Sequence, residues 1–96
     1  MLVYSGNGSL IERLKVVFSD HADKKFVILG VHAVKITRRA IEETVLNPER
    51  TTVAFKGAMI AERPLDDSHT LRVVFVREER QIRVITFYPA RRGRYR

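Results

Sequence analysis

The 96-residue chain has no cysteine. That removes disulfides, thiolate nucleophiles and cysteine zinc sites together, and makes the cytosol the default compartment. Long apolar runs are also missing: the longest, FVILGVHAV from Phe26 to Val34, is far too short to cross a bilayer and carries His32. The opening MLVYSGNGSLIERL shows no basic leader followed by a long apolar segment, so no secretory signal is expected. There is no repeat and no low-complexity segment. A soluble, cytoplasmic, single-domain protein is expected, since the length suffices for one core but not two.

Acidic residues are in short supply. Lys and Arg number 18 against 11 Asp and Glu, a formal net charge of +7, while 45% of residues are apolar, enough for a folded chain. Residues 1–50 hold eight Lys/Arg against six Asp/Glu, and residues 51–96 hold ten against five, so the basic bias sits in the second half. A basic surface attracts polyanions and steers their approach, which makes nucleic acid, anionic membrane or an acidic protein the candidate partners. The plainer reading is charge for solubility.

Local signals place the elements. SGNGS has turn chemistry, making residues 1–13 a short or frayed lead-in. The β-branched run Val16 to Phe18 reads as a strand, ended by Ser19 and Asp20, either of which can cap a helix running through DHADKKFVIL to Gly30. A second helix is predicted at Arg38 to Leu46, with Ile36 before the Thr37 N-cap, an apolar stripe of Ala40, Ile41 and Val45, and Asn47-Pro48 as its stop. Alternation then takes over. TTVAFKGAMIAE reads as a strand with a bend or bulge at Gly57, RPLDDSH as a turn, and LRVVFVR with QIRVITFY as an antiparallel hairpin tipped by Glu78, Glu79 and Arg80. The expected fold class is α+β, with two helices packed on one face of an antiparallel sheet of about four strands.

With Arg77 opposite Ile82, the hairpin divides into two faces. Leu71, Val73, Phe75, Ile82, Val84 and Tyr88 belong under the helices. Arg72, Val74, Val76, Arg83, Ile85 and Phe87 share the other face, and Lys56 joins it from the neighbouring strand. Cations among apolar side chains on an uncovered face suit phosphate contacts flanked by a base-stacking ring. The bland alternative is that Arg72 and Arg83 are edge charges that blunt aggregation.

FSDHA at 18–22, ITRRAIEETVLNPE at 36–49, LRVVFV at 71–76 and IRVITFYPARRGRY at 82–95, in that order, resemble a family of small domains related to the BrnT and RelE/ParE toxins. The resemblance implies a RelE-like sheet with helices on one side. In toxin members, the other side is a metal-independent, cofactor-free RNA-cleaving surface, silenced by a small acidic antitoxin. In such cleavage the ribose 2′-hydroxyl attacks the adjacent phosphorus, so the protein supplies a base, charge stabilisation and an acid. By motif position Arg83 and Arg91 or Arg92 are the phosphate binders, their planar forks gripping phosphate oxygens. Tyr95 is an acid or a stacking ring, and His21 or His69 the base. Lys56, Arg72, Phe87, Arg91, Arg92 and Arg94 complete the expected nucleic-acid surface. The alternatives are a noncatalytic RNA-binding module or an interaction protein on the same scaffold. Each histidine also has a structural reading: His21 as a cap or backbone partner, His69 as turn chemistry in DDSHT, His32 as a core or boundary side chain. Asp66, Asp67 and His69 match no familiar metal spacing.

Overall fold

The computed structural model describes residues 2–4, 10–12, 14–29, 36–54 and 56–92. Within them, β1 (Leu2–Tyr4) and β2 (Leu10–Glu12) form an antiparallel ribbon, so the lead-in expected to be frayed contains paired strands. Then come β3 (Lys15–Phe18), α1 (Asp20–Leu29), α2 (Arg38–Leu46), β4 (Arg50–Val53), β5 (Met59–Pro64), β6 (His69–Glu78) and β7 (Gln81–Arg91). The class is α+β. Gly30, His32, Phe55, Arg94 and Tyr95 lie outside the described residues.

Both helices start where side-chain oxygens replace missing backbone partners. Ser19, rather than Asp20, caps α1: its Oγ accepts the Ala22 N–H at 3.1 Å. Thr37 caps α2 in extended backbone, its hydroxyl accepting the Ala40 N–H at 3.1 Å. At the far end the Asn47 N–H reaches the Glu43 carbonyl before Pro48 stops the helix. Arg63 donates to the Asn47 carbonyl at 2.8 Å, placing a cation at the negative end of α2.

The main sheet has five strands in the order β3-β7-β6-β5-β4, and it is mixed. This corrects the expected antiparallel sheet of about four strands on two counts. The segment TTVAFKGAMIAE is two strands: Lys56 (φ 57°) and Gly57 (φ 80°) both take positive φ, which turns the chain back so that Val53 pairs with Met59. And β3 runs parallel to β7, with Val16 opposite Ile82. Alternation reports which face a residue takes; it does not report which distant strand lies alongside.

The helices cover one face. Ala22 of α1 and Ile41 and Val45 of α2 pack with Ala61, Leu71, Val73, Phe75, Ile82, Val84 and Phe87 in one buried cluster. The Thr44 hydroxyl, buried among them, is satisfied by the Ala40 carbonyl at 2.7 Å. Burying a large apolar side chain contributes about 1.5–3 kcal/mol each, so this layer carries most of the fold's stability.

Phe87 was expected on the open face and is instead fully buried. The cause is a bulge in β7: Val74 pairs with Thr86 but Phe75 pairs with Val84, leaving Ile85 unopposed. One extra residue reverses the alternation beyond it, so Phe87 turns into the core and Tyr88 turns out. Ser19 sits at this irregularity. Its N–H donates to the Val84 carbonyl and its hydroxyl to the Ile85 carbonyl, both at 3.0 Å.

Because β3 is only four residues long, it leaves the second half of β7 as a sheet edge. Lys25 reaches round from α1 to that edge, donating to the Phe87 carbonyl and, at 2.9 Å, to the Thr86 hydroxyl. A lysine capping an edge carbonyl both satisfies it and discourages pairing with another chain. Burial pushes the Lys25 ammonium below the ordinary lysine pKa.

Candidate nucleic-acid interface

Strand register brings together side chains far apart in sequence. Arg50 lies opposite Glu62, Glu62 opposite Arg72, and Arg72 opposite Tyr88, one row running across β4, β5, β6 and β7. Leu71 and Val73 point into the helix-covered core, so their neighbour Arg72, and with it the whole row, belongs to the face the helices leave bare.

A hollow of about 350 Å³ opens beside this row. Glu49, Arg50 and Thr52 border it from β4 and the residue before it, Glu62 from β5, and Thr70 and Arg72 from β6. Ala90, Arg91 and Arg92 close it at the end of β7. Four arginines and two glutamates therefore border one depression, and the Arg92 guanidinium reaches past it to the Asp66 carbonyl at 3.4 Å. Arg92 is held by its own backbone, its N–H donating to the Ser68 carbonyl at 2.8 Å. Arg91 and Arg92, where β7 ends, thus border the hollow.

Arg72 occupies the middle of the row. Its Nε lies 3.1 Å from a Glu62 carboxylate oxygen, and its guanidinium carbon 5.5 Å from the centre of the Tyr88 ring. The Nε–H does not point along a hydrogen bond, so the Glu62 contact is a charge attraction without hydrogen-bond geometry. Lys25 approaches the same Tyr88 ring at 5.7 Å. The tyrosine is flanked by two cations.

At the corner of the β5–β6 loop, His69 Nδ1 lies 3.0 Å from an Asp66 carboxylate oxygen. That oxygen also accepts the Ser68 N–H at 2.8 Å. The His69 hydrogen bond, helped by the Ser68 N–H, holds the Asp66 carboxyl below its ordinary pKa. In the tautomer with its hydrogen on Nδ1, the ring donates to this carboxylate and Nε2 is the acceptor. His69 and its register partner Arg91 adjoin Thr70 and Ala90 at the hollow, but strand parity turns both toward the helix side, so Arg91 borders the hollow from the end of β7.

The remaining expected site residues are dispersed. Arg83 shares the bare face, yet it lies roughly 15 Å along β7 from the Arg72–Tyr88 pair at about 3.3 Å per residue. There it is engaged with Glu78, Nε and Nη2 donating to the two carboxylate oxygens at 3.0 and 3.2 Å. The pair raises the Arg83 pKa and lowers that of Glu78, whose carboxylate also accepts from Gln81. Lys56 is exposed at the β4–β5 turn and not on the sheet face, because the chain reverses there. His21 is exposed on the first turn of α1, on the helix-covered side.

Arg50, Glu62 and Tyr88 were missed from sequence. The signal for the first two is the Lys56-Gly57 turn: reading it as a tight reversal puts Arg50 opposite Glu62, and hence in line with Arg72. Compared with protein-family models, curated proteins and solved structures, the chain matches none. No described helix is long and apolar enough to cross a membrane.

Proposed function

We propose that this domain binds RNA through the bare face of its sheet, gripping the sugar-phosphate backbone in the hollow. The observation that carries the reading is the grouping of Arg50 and Arg72 on the bare face, with Arg91 and Arg92 at the end of β7, around one depression. Guanidinium forks match phosphate oxygens in pairs, and Tyr88 beside Arg72 offers a ring for an unpaired base. Helices on one side, a basic sheet on the other and a last strand leading into arginines also support a RelE-like scaffold. Fluorescence anisotropy with a single-stranded RNA tests it. Affinity should fall steeply with salt and drop on Arg91→Ala, and salt-independent or absent binding overturns it.

A second reading, a toxin-like endoribonuclease, is favoured by the Asp66–His69 pair beside Arg91 and Arg92. The carboxylate orients the ring so that Nε2 takes the proton of a ribose 2′-hydroxyl. The 2′-oxygen bonds to phosphorus and the bond to the 5′-oxygen breaks, with arginines stabilising the pentacoordinate charge. Products are a 2′,3′-cyclic phosphate and a 5′-hydroxyl. Tyr95, the expected acid, lies outside the described residues. An acidic antitoxin covering the basic face is the implied partner. Growth arrest and cyclic-phosphate ends that vanish with His69→Ala support cleavage. Binding without such ends leaves the noncatalytic reading.

A further inference from the structure

Resting on the RNA-binding reading, we infer that the hollow is a receptor for an RNA strand end bearing a phosphate monoester. Two glutamates stand among its arginines, and one of them, Glu62, already lies against Arg72. A ligand entering here has to compete with that carboxylate for the guanidinium. A backbone diester brings one negative charge, as Glu62 does, and gains little by the exchange. A terminal monoester brings nearly two charges at neutral pH and three strong acceptor oxygens, enough to engage Arg72 together with Arg50, its neighbour across Glu62.

The carboxylates then have a second use. Glu49 and Glu62 accept hydrogen bonds but cannot donate them, so they repel further phosphates and suit the hydroxyl donors of a ribose. The hollow, about 350 Å³, is at the small end of ligand pockets, the scale of one nucleotide and not of a helix or a long strand. Size, paired charge and acceptor placement therefore agree on a phosphorylated terminal ribonucleotide. Arg83, engaged with Glu78 at the other end of the hairpin, lies outside this site.

The test is anisotropy on one 12-nucleotide single-stranded RNA carrying a 5′-hydroxyl, a 5′-phosphate or a 3′-phosphate, with the matching DNA and with AMP and inorganic phosphate as competitors. A phosphorylated end should bind at least tenfold more tightly than the hydroxyl-ended strand and the matching DNA. The preference should grow as pH rises through about 6, where a phosphate monoester gains its second charge. Arg72→Ala and the milder Arg72→Lys should both reduce it, the latter keeping charge but losing the fork. Glu62→Gln should narrow it by admitting diesters, and Arg83→Ala should leave it unchanged; circular dichroism verifies that each variant is folded. Equal, salt-sensitive affinity for all ends overturns the inference while sparing the RNA reading, and no RNA binding removes both. Competition by AMP or phosphate at the concentration of the RNA end overturns the strand end as the ligand.

Discussion

The hydroxyl of Ser19 donates to the carbonyl of Ile85 at 3.0 Å while accepting the Ala22 N–H at 3.1 Å, so one oxygen starts a helix and fastens a bulge. Ser19→Ala removes both bonds. A lost N-cap costs about 1 kcal/mol and an orphaned carbonyl adds a comparable amount, giving about 1–2 kcal/mol in urea denaturation. Ser19→Asp restores the cap but not the donor, and should recover only part of the loss. Full recovery by Asp would mean that the bond to Ile85 contributes nothing.

The bulge separates two adjacent aromatics with opposite tasks. Phe87 is fully buried, so Phe87→Ala should cost about 3–5 kcal/mol through the cavity it leaves. Tyr88→Ala should cost far less stability but weaken RNA by about 1–3 kcal/mol, the worth of a stacked base. Thermal melts and anisotropy on the two variants read these separately. If Tyr88→Ala binds RNA as well as the parent, the stacking role fails.

How far these features can be read from sequence depends on their range. The bounds of α2, the pairing of Arg77 with Ile82 and the basic second half follow from neighbouring residues: a cap, a Pro stop, a two-residue turn, a count of charges. The bulge at Ile85 does not, because no glycine or turn residue marks it. It is tied down by Ser19, 66 positions away. The parallel pairing of β3 with β7 is likewise settled by packing across the whole chain. The site inherits this division. Arg72, Arg91 and Arg92 were recognisable as a basic group, whereas the place of Arg50, Glu62 and Tyr88 beside them is a product of register.

Acid should weaken the tip of the β6–β7 hairpin. The hydrogen bond from Arg83 lowers the Glu78 pKa below its ordinary 4.5. A depressed carboxylate contributes stability above the unfolded value and loses it as pH falls through the folded one. Glu78→Gln should therefore flatten the decline of the melting midpoint between pH 5 and 3, while changing little at pH 7 because the pair is substantially exposed. Asp66, also depressed, preserves part of the decline, so Glu78→Gln with Asp66→Asn should be flatter still. Parallel profiles for the parent and both variants would show that neither contact survives in solution.

Salt dependence separates arginines that grip phosphate from arginines that hold the fold. Each phosphate engaged on a single strand contributes about −0.7 to the slope of log affinity against log salt. Three or four guanidiniums in the hollow predict a slope of about −2 to −3. Arg50→Ala and Arg91→Ala should each flatten it by about 0.7 and weaken binding on every RNA sequence alike, since a phosphate contact reads no base. Arg72→Ala should do the same with a smaller loss, because Glu62 already offsets part of its charge, and Glu62→Gln should move affinity the other way. Arg83→Ala, remote and engaged with Glu78, should leave the slope where it was. A loss on Arg83→Ala equal to that on Arg91→Ala would mean that the strand runs the length of the hairpin and that the hollow is not the seat of binding.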